Sequence, residues 1–418
     1  MSERWLILAD DLTGAADSGV AFARRGWSTE AFWGETSPGD EVDVWAFDTD
    51  SRRCAPGEAG RRHRDALHRW LTPDRLLFKK IDSTLRGQPA AEIAALCASL
   101  RDLGRPALGI FAAANPAMGR VTRDGRVFVN GDPLEHTETW RREHSYDNAD
   151  LAAITASAKL RSIKLPLAQV RGDASALRAS LQSAATEAMH ESGMIVICDS
   201  GSDDDLERLV RAARGLPAIG LFIGTAGLAK ALASQDPPRD ARPIRLDSTK
   251  AGTLIAVGSP ARESRAAARK LATYLNVRPV RIDGRPSIVR DGPAEALFAM
   301  SIANRLERGD DVLALLEPVD GSDSPPEPEH VRILAATLEI ALREMGALIV
   351  SGGETAAALL AQCYVHGIQL LDEIEPGLAF GVTRGKVQVP IVTKPGAFGD
   401  ESCLIRCFDR MRELRRTG

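Results

Sequence analysis

Several kinds of chemistry are absent from this 418-residue chain. It has six cysteines but no Cys-x-x-Cys pair, and Cys403 and Cys407 have no histidine at zinc-ligand spacing. Reduced structural thiols are therefore expected, and neither a disulfide framework nor a zinc finger. No apolar run approaches the roughly 20 residues that cross a bilayer, and Met1–Leu8 lacks the cationic and small-residue pattern of a signal peptide. A soluble cytoplasmic protein with no membrane partner is expected. The 53 basic and 57 acidic residues leave a net charge of −4. With no like-charge block and no basic helix interleaved with aromatics, nucleic acid is not an expected partner. Short repeats and low-complexity segments are missing too. Neither GxxxxGK[ST] nor a GxGxxG after a strand occurs, which removes the two commonest nucleotide-binding motifs.

What is present is a recurring unit: a short apolar run, a polar or glycine-rich turn, then a helix-like stretch. Trp5–Ala9 runs into Asp10-Asp11-Leu12-Thr13-Gly14, Val44–Phe47 into Asp48-Thr49-Asp50-Ser51-Arg52, and Pro106–Ala113 into Asn115-Pro116-Ala117-Met118-Gly119-Arg120. Met194–Cys198 and Leu221–Ile223 repeat it. Between them, residues 125–136 read as a hairpin turning at Asn130-Gly131. Ligands of parallel α/β sheets bind where strands end, so these turns predict one polar cleft. The fold class expected is α/β in two domains, each a largely parallel sheet flanked by helices, with the active site in the interdomain cleft. The proline-rich, aperiodic 234–249 stretch predicts a first domain over 1–235, a linker over 236–250 and a second domain over 251–418. A loop is expected over 321–330 and a helix over 331–345.

The stretch Lys79-Lys80-Ile81-Asp82-Ser83-Thr84-Leu85-Arg86-Gly87 is central. Placed between the apolar approach Arg75–Phe78 and the helix-like Ala90–Leu100, it puts ammonium, carboxylate, hydroxyl and guanidinium groups on one turn. That set suits a small polyhydroxylated anion, with Arg86 gripping a carboxylate and Asp82 accepting hydroxyl protons. A capping turn with a surface salt bridge is the alternative. Asp10 and Asp11 could bind magnesium, orient a hydroxyl or cap the helix. His136 and His144 are candidate acid–base groups or structural histidines. In the second half, Gly258-Ser259, Ser351-Gly352-Gly353-Glu354-Thr355 and Lys394–Gly399 are three strand-end turns with the glycines and free amides of a phosphate site, and Lys394 adds charge.

Together, the Asp10–Gly14, Lys80–Gly87 and Asn115–Arg120 motifs resemble the sugar-acid-binding domain of the four-carbon acid sugar kinases. Ser351–Thr355 and Lys394–Gly399 resemble that family's nucleotide-binding domain, whereas Ser259-Pro260-Ala261-Arg262 keeps only part of the longer polar turn of many members. The resemblance spans nearly the whole chain. It implies an enzyme that uses ATP and Mg²⁺ to phosphorylate the terminal hydroxyl of threonate, erythronate or a 3-oxo-tetronate. By motif position Asp10, Asp11, Lys80, Asp82, Ser83, Arg86 and Arg120 would hold the sugar acid. Gly258, Ser259, Gly352, Gly353, Glu354, Thr355 and Gly396 would hold ATP. The catalytic candidates are Asp82, as base or hydroxyl-orienting group, then Asp11, with Arg86 on the substrate carboxylate. Metal ligands are not assigned, although Glu354 could hold Mg²⁺ through water, and a homodimer is compatible with the size. Two other readings explain an anion pocket: a non-catalytic sugar-acid sensor with nucleotide as effector, and an isomerase or aldolase that needs no ATP.

Overall fold

The computed structural model describes residues 3–189, 194–216, 219–240, 251–283, 293–317 and 328–417. They fall into two compact units, Met1–Thr29 with Gly39–Ala241, and Glu30–Pro38 with Arg242–Gly418. A short stretch from early in the chain is thus built into the second unit. Of the expected linker, residues 241–250 lie outside the described residues, as do residues 321–327 of the expected loop. Residues 328–330 open the helix Pro328–Thr337 instead.

In chain order the strands begin with β1 (Arg4–Ala9), β2 (Thr29–Phe32), β3 (Val44–Asp48), β4 (Arg75–Lys80) and β5 (Leu108–Ala112). A small antiparallel sheet follows, formed by β6 (Arg120–Arg123), β7 (Arg126–Val129) and β8 (Asp132–Pro133), and then β9 (Arg161–Leu165), β10 (Met194–Cys198) and β11 (Ile219–Gly224). In the first unit seven strands pair in the order β3-β1-β4-β11-β5-β10-β9, every pair parallel. Leu6, Ile7, Leu8, Ile110, Phe111, Ile195 and Ile197 have no exposed surface. Strands covered on both faces need such unbroken apolar runs. The small sheet turns at Asn130-Gly131, as expected, and also at Asp124-Gly125; all four residues have positive φ, the backbone of tight two-residue hairpins.

Strand β4 runs two residues further than its apolar segment, so Lys79 and Lys80 lie on the strand rather than in the turn. Successive strand side chains point to opposite faces, and the two lysines part accordingly. Lys79 meets Glu92 on the helix α3 (Pro89–Asp102), on which α2 (Pro56–Trp70) packs. Lys80 meets α1 (Leu12–Ala23), its Nζ 3.1 Å from where a Cβ on Gly14 would stand.

The second unit contains β12 (Thr253–Val257), β13 (Val280–Asp283), β14 (Val312–Glu317), β15 (Ala347–Ser351), β16 (Val365–Glu375), β17 (Leu378–Gly385) and β18 (Pro390–Lys394). Their order is β13-β14-β12-β15-β18-β17-β16, parallel as far as β18 and antiparallel through the last two pairs. Beside β16 lies β2, and the Trp33 N–H donates to the His366 carbonyl at 3.4 Å. Helices Arg262–Leu275 and Cys403–Thr417 contribute Leu271, Phe408 and Met411 to this unit's core.

Candidate functional site

In the first unit β3, β1 and β4 are neighbours, so the turns that follow them meet at one edge of the sheet. Asp11 caps α1, accepting from the Gly14 N–H at 2.8 Å and the Thr13 hydroxyl at 2.7 Å. Asp10 is buried beside it. Between these acids lies Arg52, from the turn after β3. Its Nε and Nη2 donate to the two Asp10 oxygens at 2.7 and 3.0 Å, its Nη1 donates to Asp11 Oδ2 at 2.6 Å, and Nη2 lies 3.8 Å from Asp82 Oδ1. Burial raises the Asp10 pKa, but the Arg52 charge and hydrogen bonds outweigh it and hold the carboxyl down at about 2.

The turn after β4 is wound around Asp82. Arg86 Nε and Nη2 donate to its two oxygens at 2.9 Å each, and the Thr84 hydroxyl and the Thr84 and Arg86 N–H groups donate to Oδ2. Burial opposes ionisation here too, and Arg86 and Arg52 overcome it, keeping the pKa well below the usual carboxylate range. Leu85, at φ 60°, and Gly87, at φ 79°, both adopt the left-handed conformation. A side chain at Gly87 would in addition meet Asp10 Oδ2 at 2.9 Å, so this position must be glycine for Asp10 to close over the turn.

Not every polar group at this edge is spent on another. Lys80 and Ser83 are buried, yet neither the Lys80 ammonium nor the Ser83 hydroxyl has a hydrogen-bond partner among the described residues. The Lys80 charge acts on both Asp10 and Asp82. Arg120 opens β6 and donates to the Met118 carbonyl at 3.0 Å; burial lowers its pKa, while the nearby Asp82 raises it. Arg86 Nη1 faces the half-exposed Glu143 at 3.7 Å. Asp48, at the end of β3, is the exception among the acids. Burial, with Asp11, Asp50 and Asp10 close by, raises its pKa well above normal although it accepts from the Asp50 N–H at 2.7 Å.

The structure therefore brings together Asp10, Asp11, Lys80, Asp82, Ser83, Arg86 and Arg120, and adds Arg52, which sequence reading left unassigned. The signal was the polar turn 48–52 at a strand end; its partners are 41 and 42 residues away in sequence. His144 stacks on Trp140 with its Nδ1 2.9 Å from the Trp140 carbonyl, and His136 ends a short 3-10 turn.

In the second unit β12, β15 and β18 are adjacent, and so are their turns. The Gly258 and Ser259 N–H groups donate to the Ser351 carbonyl at 3.2 and 3.3 Å, and the Gly352 N–H to the Lys394 carbonyl at 2.9 Å. A Cβ on Gly258 would stand 2.1 Å from Thr355 Oγ1, and one on Gly396 2.2 Å from Ser259 Oγ. Gly352, at φ 110°, caps the helix Gly353–Gln362 with no side-chain hydrogen bond. Glu354 is exposed on that first turn. Lys394 is placed otherwise than expected. Its ammonium is fully buried, donating to Ser264 Oγ at 2.9 Å and to the Pro395 and Gly396 carbonyls at 3.1 and 3.0 Å, with burial lowering its pKa. It braces the turns from inside, because β18 extends to residue 394 and points it into the core. Among the described residues no group of three or more His, Cys, Asp or Glu side chains is arranged to hold a metal ion.

Comparison with known proteins matches both halves. Residues 5–232 fit the model of a sugar-binding N-terminal domain and residues 302–404 that of a nucleotide-binding C-terminal domain. The chain is 36% identical over 424 residues to a D-threonate kinase of Cupriavidus necator, covering 98% of this chain and 99% of that one. It is 30% identical to a D-erythronate kinase of Heliobacterium modesticaldum, with 97% and 96% covered. A solved structure from Salmonella typhimurium superposes with a TM-score of 0.78 at 19% identity, covering 98% and 99% of the two chains, a likeness of fold.

Proposed function

The chain belongs to the four-carbon acid sugar kinase family and is a phosphotransferase, and we propose that it transfers the γ-phosphoryl group of ATP to the terminal (4-) hydroxyl of a tetronate, with D-threonate the first candidate. The observation that carries this reading is the buried Lys80 ammonium at the first unit's strand ends, which has no hydrogen-bond partner among the described residues. Around it stand Arg52, Arg86 and Arg120 with Asp10, Asp11 and Asp82, and Glu143 faces Arg86. A substrate carboxylate gives Lys80 the partner it lacks and can take the place of Glu143 on Arg86 Nη1. Asp10 and Asp11, held by Arg52, accept from the substrate hydroxyls, and Ser83 can donate or accept.

Asp82 orients the reacting hydroxyl rather than removing its proton. A carboxylate kept so far below its ordinary pKa is a weak base, and phosphoryl transfer with a loose transition state asks more for alignment and charge than for a base. In the second unit the amides at Gly353–Thr355, beside the Gly258-Ser259 and Gly396 turns, supply donors for the nucleotide phosphates. A Mg²⁺ would be carried in on those phosphates and keep most of its waters, and Glu354 could reach it through one of them. When bound, that ion neutralises phosphate charge.

The test is ADP release with Mg·ATP against D- and L-threonate, D- and L-erythronate and their 3-oxo forms, with ATP-free controls. Turnover with D-threonate exceeding the others by tenfold or more is expected. No ADP release with any of the six would overturn the proposal, and product formed without ATP would point to an isomerase or aldolase.

A further inference from the structure

Beneath the sugar-side turns lies a polar cluster that the site itself does not use. Lys79, Ser51 and His63 have no exposed surface and Glu92 only 1%. Lys79 Nζ lies 2.8 Å from Glu92 Oε2 and donates to the Lys80 carbonyl at 2.8 Å. The other Glu92 oxygen accepts from Ser51 Oγ at 2.8 Å, and Ser51 Oγ accepts in turn from Thr49 Oγ1 at 3.0 Å. One carboxylate on α3 thus ties the end of β4 to the turn after β3. Both attachment points adjoin site residues. Ser51 immediately precedes Arg52, and the carbonyl held by Lys79 belongs to Lys80. The Ser51 and Arg52 N–H groups also donate to the Asp10 carbonyl at 3.0 and 3.1 Å, which closes the frame.

Stability alone does not account for this pair. Taking two charges out of water costs about as much as their attraction returns, and apolar residues of similar size often do as well or better. His63 cannot share the burden: its Nε2 is 3.9 Å from Glu92 Oε2 and has no hydrogen-bond partner among the described residues. An apolar pair would pack α3 against β4 but would leave the Ser51 hydroxyl unheld. We propose that Lys79 and Glu92 are positioning residues for the acceptor site: through Ser51 they keep the Arg52 guanidinium on Asp10 and Asp11, and through its carbonyl they fix Lys80. This rests on reading that edge as the acceptor site. Neither residue touches the acceptor.

The test pairs two variants. Lys79→Met with Glu92→Leu removes both charges together and so leaves no unpaired buried ion, while Ser51→Ala removes only the hydroxyl. The double variant is expected to melt at or above the wild-type temperature. In both variants the KM for D-threonate rises at least tenfold, the KM for ATP stays within twofold, and a crystal structure shows Arg52 moved off Asp10 and Asp11. A folded double variant with wild-type KM for D-threonate and Arg52 in place overturns the proposal. Should the double variant not fold, Ser51→Ala decides by the same two readouts. The crystal structure also separates the two readings. Arg52 displaced in a protein whose wild type ignores D-threonate sustains the positioning role and overturns that acceptor. Arg52 unmoved in an enzyme active on D-threonate does the reverse.

Discussion

Arg52 shows how much one side chain can organise. Its planar fork donates to two oxygens of Asp10 and one of Asp11 while facing Asp82. Lysine has the charge but not the fork, so Arg52→Lys is expected to raise the KM for the sugar acid at least tenfold and leave that for ATP within twofold, read by steady-state kinetics with each substrate varied. His63 gives a prediction for stability. Burial, and then the Lys79 charge, lower its pKa from 6.5 to about 4. Between those values the unfolded chain binds the proton and the folded one does not, so stability falls as pH drops from 6.5 toward 4 and levels off below. The span corresponds to roughly 3 kcal/mol. Urea unfolding at pH 7 and pH 4.5 should show most of that loss in the wild type and little of it in His63→Gln. An equal loss in both would remove His63 as the cause.

Among the elements, the strand-end turns carry the chemistry, and their backbones are specialised for it. Gly352 sits at φ 110° and ψ 127°, between the end of β15 and the amides of the following helix. Other residues reach that conformation only with strain on the order of 1–3 kcal/mol. Gly352→Ala should therefore lower the melting temperature by several degrees and raise the KM for ATP fivefold or more, with the KM for the sugar acid unchanged. Equal effects on both substrates would show that the change is global. Elements buried on both faces were legible from their apolar runs: Met194–Cys198 and Thr253–Val257 begin and end where the sequence places them. The pair β16–β17 was not, because half-buried antiparallel strands carry polar residues, here Asp372, Glu373 and Glu375. The single helix expected over 331–345 is two, Pro328–Thr337 and Ala341–Glu344, since its apolar residues do not register the break.

At the scale of the whole molecule, the placement of residues 30–38 in the second unit has a consequence for dissection. A fragment spanning 251–418 lacks β2, which leaves the edge of β16 bare, and bare edges pair with other chains. That fragment is expected to self-associate in size-exclusion chromatography with light scattering. A monomeric 251–418 fragment would show that β2 is dispensable for this edge.

The sequence by itself determined the α/β class, the strand-end turns and seven of the eight residues gathered at the sugar-side edge, since buried parallel strands and their polar termini are written in local composition. Tertiary structure alone decided which of these groups meet. Arg52 reaches Asp10 because β3 lies beside β1. Lys79 and Lys80 separate because β4 extends past its apolar segment and alternation sends them to opposite faces. Lys394 turns inward for the same kind of reason, one more residue of strand than composition shows. The parity of a strand's last residue and the order of strands in a sheet are set by long-range pairing, and no local pattern encodes them.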